Sequence, residues 1–259
     1  MRSAGFIGGG RVTRILAGGW ARAGALPARM LVHDPSREAL DALEAVVPRI
    51  ERVSPETAAG ADVVFVALHP PAIVGALSEI RPVLASGAVL VSLAPKVRIE
   101  TLEDAAGTRR VARMIPNAPS LVGRGYNPVA YGRGLDDTTR IELARLFEPW
   151  GRAPEVAEDQ LEAYALLTGM GPTYFWFQWQ ALRVLAAELG LPAAEADAAL
   201  RTMIEGAMAT LLDAGLTPSA VMDLVPVKPL AELEPGVTAA YRTVLPALYS
   251  NIQPALSTV

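Results

Sequence analysis

Three consecutive glycines, Gly8-Gly9-Gly10, follow a short apolar run at Phe6-Ile7, and an apolar-periodic segment then runs from Val12 through Ile15 and Leu16 to Trp20. That order reads as strand, tight turn and helix. Such a turn fits the first unit of a dinucleotide-binding fold. Gly8 permits the turn, Gly10 lets the backbone approach a diphosphate held at the helix N-terminus, and Gly9, Arg11 and Val12 complete the cradle. The third small position holds Thr13 instead of Gly or Ala. Three glycines also build ordinary loops, so the flanking strand and helix carry the argument.

The segments that follow alternate in the same way. Met30-Leu31-Val32-His33 is a compact apolar run ending at Asp34-Pro35-Ser36-Arg37. At the tip of a second strand, Asp34 suits the ribose hydroxyls of NAD, whereas Ser36 and Arg37 suit the phosphate of NADP. Asp34 also reads as the N-cap of the next helix, with Pro35 at its first position. A helix over 37–47 and a short segment at 50–53 precede Ala61-Asp62-Val63-Val64-Phe65-Val66-Ala67-Leu68, whose unbroken apolar character suits a strand buried on both faces. It stops at His69-Pro70-Pro71, which launches a helix over 72–80. Further strands are expected at 89–94, running into Pro95-Lys96, and at 110–115, running into Pro116-Asn117-Ala118-Pro119. Ala67, Leu68, His69, Pro70 and Ala94 thereby reach the carboxyl edge of a parallel sheet, where ligands bind.

From about Asp159 the alternation gives way to helical periodicity, over 173–189 and 193–212, punctuated by Gly190-Leu191-Pro192 as C-cap and restart. Tyr174, Phe175, Trp176, Phe177 and Trp179 fall within six positions. They cannot share one side of a helix. The segment is either buried all round in one chain or covered by a second copy, and the second explains it better. The expected architecture is α/β, a Rossmann-type doubly wound sheet over 1–155 followed by an all-α dimerisation and substrate domain over 156–259.

Composition narrows the partners. The chain has 259 residues, of which 51% are hydrophobic, enough for a sizeable core. Net charge is −4 and no Lys/Arg stripe faces a run of phosphates, which argues against nucleic acid. There is no cysteine, and His33 and His69 are the two imidazoles, so neither disulfides nor a metal centre is expected. No apolar run reaches the roughly 18–20 residues of a membrane span, and the glycine turn stands too close to the start for a signal region. A cytoplasmic protein acting on a small molecule is the expectation.

Gly5-Phe6-Ile7-Gly8-Gly9-Gly10, Ala67-Leu68-His69-Pro70, Met114-Ile115-Pro116-Asn117-Ala118-Pro119, Leu167-Thr168-Gly169-Met170-Gly171-Pro172-Thr173-Tyr174 and the Glu188-Leu189-Gly190-Leu191-Pro192 segment occur in that order. Together they resemble the motifs of pyrroline-5-carboxylate reductases. The resemblance implies NADP or NAD as cofactor, hydride transfer to a cyclic imine, Asn117 beside the nicotinamide, and pairing of subunits through the helical domain as a homodimer or higher homo-oligomer. Read from its own residues, Asn117 also fits an Asx turn between two prolines.

The chain also departs from that family. His69 stands where the family has Lys, and Lys96 where it has Gly; both are placed to face a ligand. Gln180 replaces a Glu, and Met170 a small Ser. Val225-Pro226-Val227-Lys228-Pro229-Leu230-Ala231-Glu232 stands where the family has a Ser-Pro-Gly-Gly-Thr-Thr loop that receives the proline carboxylate. Lys228 is either a substitute charge there or a solvated loop lysine. Candidate catalytic residues are therefore Asn117, Lys96 and Lys228. No His–carboxylate pair stands at a spacing that would supply a general acid. Three readings follow: a pyrroline-5-carboxylate reductase or related imine reductase, an NAD(P)-dependent dehydrogenase with a different substrate, and a non-catalytic dinucleotide-binding protein.

Overall fold

The computed structural model describes residues 2–254. Its first strand, β1 (Ser3–Ile7), enters the glycine turn, and α1 (Arg11–Ala23) leaves it. Thr13, Leu16, Ala17 and Trp20 give α1 a buried stripe, and Gly24 ends it at φ 65° with its N–H on Ala21 and Trp20 carbonyls. There follow β2 (Arg29–His33), α2 (Arg37–Glu44), β3 (Glu51–Arg52), α3 (Pro55–Ala59), β4 (Val63–Val66) and α4 (Pro70–Ile80). Next come β5 (Val89–Ser92), α5 (Ile99–Ala106), β6 (Val111–Met114), β7 (Gly125–Tyr126), β8 (Val129–Tyr131), α6 (Asp137–Phe147) and β9 (Gly151–Arg152). The expected second helix stops at Glu44, short of Val47, because Pro48 disfavours helical backbone in the residue before it. Ser36, not Asp34, is its N-cap, accepting the Ala39 N–H at 3.1 Å.

The main sheet runs β3-β2-β1-β4-β5-β6-β8. Its pairings are parallel except for β8, which lies antiparallel to β6. β7 and β9 form a separate parallel pair. Alternation along each strand sends side chains to two cores, one on each face. Ile7, Val64, Val66 and Leu90 join one, and Phe6, Val63, Phe65 and Val91 the other. The second core is aromatic. Phe6 stacks on Phe65 at 4.7 Å, and Trp20 lies 4.6 Å from Trp150, which stacks on Phe147 at 5.4 Å. Both indoles also find backbone acceptors: Trp20 Nε1 donates to the Leu146 carbonyl (2.9 Å) and Trp150 Nε1 to the Leu16 carbonyl (2.7 Å).

After β9 the chain is helical. α7 (Leu161–Tyr164) runs into a π-helical turn at Ala165–Gly169. Gly171–Tyr174 forms a 3₁₀ turn, so the long aromatic helix α8 (Trp176–Glu188) begins later than its periodicity predicts. Gly190, at φ 85°, closes α8 by a Schellman motif, with Gly190 N–H on Ala187 and Leu191 N–H on Ala186. α9 (Ala193–Asp213), α10 (Pro218–Met222) and α11 (Glu234–Ile252) complete the fold. Residues 171–247 form one compact unit and the remaining described residues another. Within its own unit α8 has no buried residue, and Trp176 is 48% and Phe177 69% exposed. The chain therefore does not bury this helix all round. Among the described residues no helix is long and apolar enough to cross a membrane.

Candidate active site

The glycine turn owes its shape to close approaches that only glycine allows. Gly8 sits at φ 107°, and a Cβ there would stand 2.5 Å from the Ala67 carbonyl oxygen. The space over Gly10 is open, with nothing within 4 Å of a Cβ placed on it. Thr13 is fully buried and its hydroxyl donates to the Gly8 carbonyl at 2.6 Å, which explains why a hydroxyl residue stands at the third small position. Gly10 is the N-cap of α1 with no side-chain cap bond, and the first turn carries no acidic residue. The partial positive end of α1 is left for an anion.

It opens into a cavity of about 540 Å³. Gly10, Arg11, Val12 and Arg14 line one side, Ser36 the tip of β2, and Ala67, Leu68, His69, Pro70 and Ala94 the ends of β4 and β5. Most of the predicted cofactor residues thus meet in one place. Gly8 and Gly9 form the turn behind it. Arg37, 90% exposed, faces Asp41 at 3.9 Å on the surface of α2. Asp34 is drawn onto the turn: one carboxylate oxygen accepts the Gly9 N–H (2.7 Å) and the other the Ser36 N–H (2.8 Å). His69 is exposed at the N-cap position of α4. Arg14 is a lining residue that the sequence reading missed, although its place one turn beyond Gly10 on α1 is the signal that would have found it. A second cavity, of about 470 Å³, lies at the opposite edge of the sheet beside Asp62 and Arg110. Two of its charged groups are engaged by the protein itself: Asp62 accepts from the Arg2 and Ser3 amides, and Arg110 donates to the Gly87 carbonyl and Thr139 hydroxyl.

Asn117 lies at the end of β6 and is 8% exposed. Its Oδ1 accepts the Tyr126 N–H (3.2 Å) and its Nδ2 donates to the Thr168 carbonyl (3.2 Å), while its backbone N–H donates to Asn127 Oδ1 (3.1 Å). The side chain ties loops together and makes no Asx turn, because Pro119, two residues on, has no N–H to give. Ser120 and Asn127 belong to the same buried knot, joined at 2.8 Å. The underlying turn presses on α1, where a Cβ on Gly19 would meet the Ser120 carbonyl oxygen at 2.5 Å.

Under the β5–α5 loop lies a charged cluster absent from the sequence reading. Arg113, fully buried on β6, donates to Glu158 (2.9 Å) and to Glu162 (2.5 Å), and Glu162 is itself fully buried. The same carboxylates accept backbone N–H groups of the loop, Lys96 to Glu162 (3.1 Å) and Ile99 to Glu158 (2.6 Å). An arginine inside an otherwise apolar strand was the signal, since a buried guanidinium requires carboxylates. Lys96 is exposed at the end of β5, and Lys228 is exposed in the loop after α10.

Residues 3–96 match the family described as NADP oxidoreductase, coenzyme F420-dependent, and residues 158–229 match the pyrroline-5-carboxylate reductase dimerisation domain. The chain is 31% identical to the pyrroline-5-carboxylate reductase of Corynebacterium melassecola over 247 residues, 93% of this chain and 87% of that protein. It belongs to the pyrroline-5-carboxylate reductase family. The Escherichia coli reductase is 29% identical, covering 85% of this chain and 83% of its own. Among solved structures, the Coxiella burnetii pyrroline-5-carboxylate reductase superposes with a TM-score of 0.67 at 25% identity, over 97% of this chain and 94% of that one. The NADP-bound Plasmodium falciparum pyrroline carboxylate reductase shares the fold, with a TM-score of 0.74 at 21% identity and coverage of 96% and 93%.

Proposed function

We propose that this chain is an NAD(P)H-dependent oxidoreductase that reduces a cyclic imine, pyrroline-5-carboxylate or a close analogue, and works as a homodimer or higher homo-oligomer in the cytoplasm. The observation that carries the reading is the uncapped amino end of α1 opening into the cavity along the ends of β1, β2, β4 and β5. Gly8, Gly9, Gly10, Arg11 and Val12 would hold the diphosphate, and Asp34, Ser36 and Arg37 the adenosine ribose or its phosphate. Ala67, Leu68, His69, Pro70 and Ala94 would flank the nicotinamide half. The bound nicotinamide supplies the hydride that the imine carbon accepts. On this reading residues 1–155 serve the cofactor and residues 156–259 the substrate and the subunit pairing, with Asn117, Lys96 and Lys228 as candidates for the substrate side.

A second reading, a related dehydrogenase with a different substrate, draws on the loop Val225–Glu232, which carries no hydroxyl side chain. Oxidation of NADPH and NADH by the purified protein, offered pyrroline-5-carboxylate beside other imines and keto acids, separates the two. Turnover of pyrroline-5-carboxylate supports the first. Turnover confined to another compound supports the second, and tight cofactor binding without turnover of anything overturns both.

A further inference from the structure

Among the described residues Lys96 is the one non-glycine residue with a left-handed backbone, at φ 76°. L-residues resist that region because the Cβ crowds the following carbonyl, and lysine has no short polar side chain to compensate. Such a conformation persists only where the surroundings impose it, and here they do. The Lys96 N–H is held by Glu162 and the Ile99 N–H by Glu158, and both carboxylates are fixed on the buried guanidinium of Arg113. The loop is thus riveted at both ends to β6 and the segment before the π turn. Glycine would satisfy the same backbone without strain, and the Lys96 side chain is exposed and makes no ion pair among the described residues. Nothing in the fold calls for a lysine there.

Its position says what the charge serves. Ala94 and Pro95, just before it, line the cavity. In the strand order β2-β1-β4-β5, a dinucleotide with its diphosphate on α1 and its adenosine ribose over β2 must extend its other half over β4 and β5. Lys96 follows β5, two strand spacings or about 10 Å from β1, on the side of the cleft toward which that other half extends. A lone ammonium is a compact point charge suited to a small monoanion. We propose that Lys96 binds the carboxylate of the substrate at the nicotinamide end of the cleft.

The proposal rests on the reductase reading, and its test is a binding ratio that is independent of turnover. With the full-length protein saturated by oxidised cofactor, calorimetry compares tetrahydrofuran-2-carboxylate with its uncharged carboxamide. Wild type is expected to favour the carboxylate by roughly tenfold or more, the usual scale of a hydrogen bond to a charged group. Lys96→Gly, which relieves the strained backbone, and Lys96→Met, which keeps the stem, should each bring the ratio to near one and leave the cofactor Kd within about twofold of wild type. A ratio that survives in both variants, or that is absent from wild type, overturns the proposal. Failure of wild type to oxidise NAD(P)H with any cyclic imine overturns the reductase reading instead, while the binding ratio still decides the role of Lys96.

Discussion

Replacing Arg113 by Met keeps the volume of the side chain and removes its charge. Arg113 is completely buried, and so is Glu162, whose second carboxylate oxygen already has no partner. Glu158 is 28% exposed and can turn toward water, so the penalty falls on Glu162, which keeps the Lys96 N–H as its remaining donor. Breaking a buried pair from one side costs about 3–5 kcal/mol. In a unit of this size each kcal/mol lowers the melting midpoint by about 2–4 °C, so the expected drop is about 6–20 °C. Circular dichroism melts, backed by urea titration for the free energy, measure it. The double variant Arg113→Met/Glu162→Leu should recover most of the loss, because an apolar pair of similar volume is close to neutral against a buried ion pair. A drop under about 1 kcal/mol in the single variant, or a double variant as unstable as the single, would refute the uncompensated-charge argument.

The glycine turn, the cofactor tip and a half-buried phenol give three more. Gly8→Ala combines a left-handed backbone with a Cβ 2.5 Å from the Ala67 carbonyl oxygen, so it should lose about 2–5 kcal/mol in urea titration and weaken NAD(P)H binding more than tenfold. Asp34→Asn removes the negative charge beside the turn, and fluorescence titration should show the NADPH-to-NADH affinity ratio rising by roughly tenfold. Burial, and secondarily the charge of Glu155, push the Tyr131 phenol up to about 12. Because the folded value lies above that of the unfolded chain, its contribution is complete below about pH 10 and is lost as pH rises toward 12. Tyr131→Phe should flatten that alkaline decline, and an unchanged alkaline limb would contradict it.

Local chemistry was legible in the sequence, and long-range pairing was not. The glycine turn, the apolar runs that became β1, β2, β4, β5 and β6, and the Gly190 stop all rest on contacts within a few residues, where steric rules decide. Asp34 was placed at the right tip but given the wrong local bond, since Ser36 competes for the cap and Gly9, 25 residues earlier, claims the carboxylate. Arg113 finds its partners 45 and 49 residues downstream, and Asn117 reaches Thr168 across 51. No periodicity encodes such separations. Gly18-Gly19, buried in the middle of α1, were a usable hint that went unread, because paired glycines inside a helix mark a close approach of another backbone. Lys96 shows the reverse: its residue type advertises charge, while the strained backbone that makes it informative is visible only in three dimensions.

The reciprocal indole bonds have a consequence for the order of synthesis. Trp150 closes on the Leu16 carbonyl and Trp20 on the Leu146 carbonyl, separations of 134 and 126 residues. The helix that follows the glycine turn leaves the ribosome well before Leu146 and Trp150, yet one wall of its packing is made of those residues. At elongation rates of about 5–20 residues per second, α1 waits on the order of 7–27 s for Trp150. Through that interval the apolar side of α1 is exposed, and a nascent chain stalled before Trp150 should be a chaperone client in a way that one stalled beyond β9 is not.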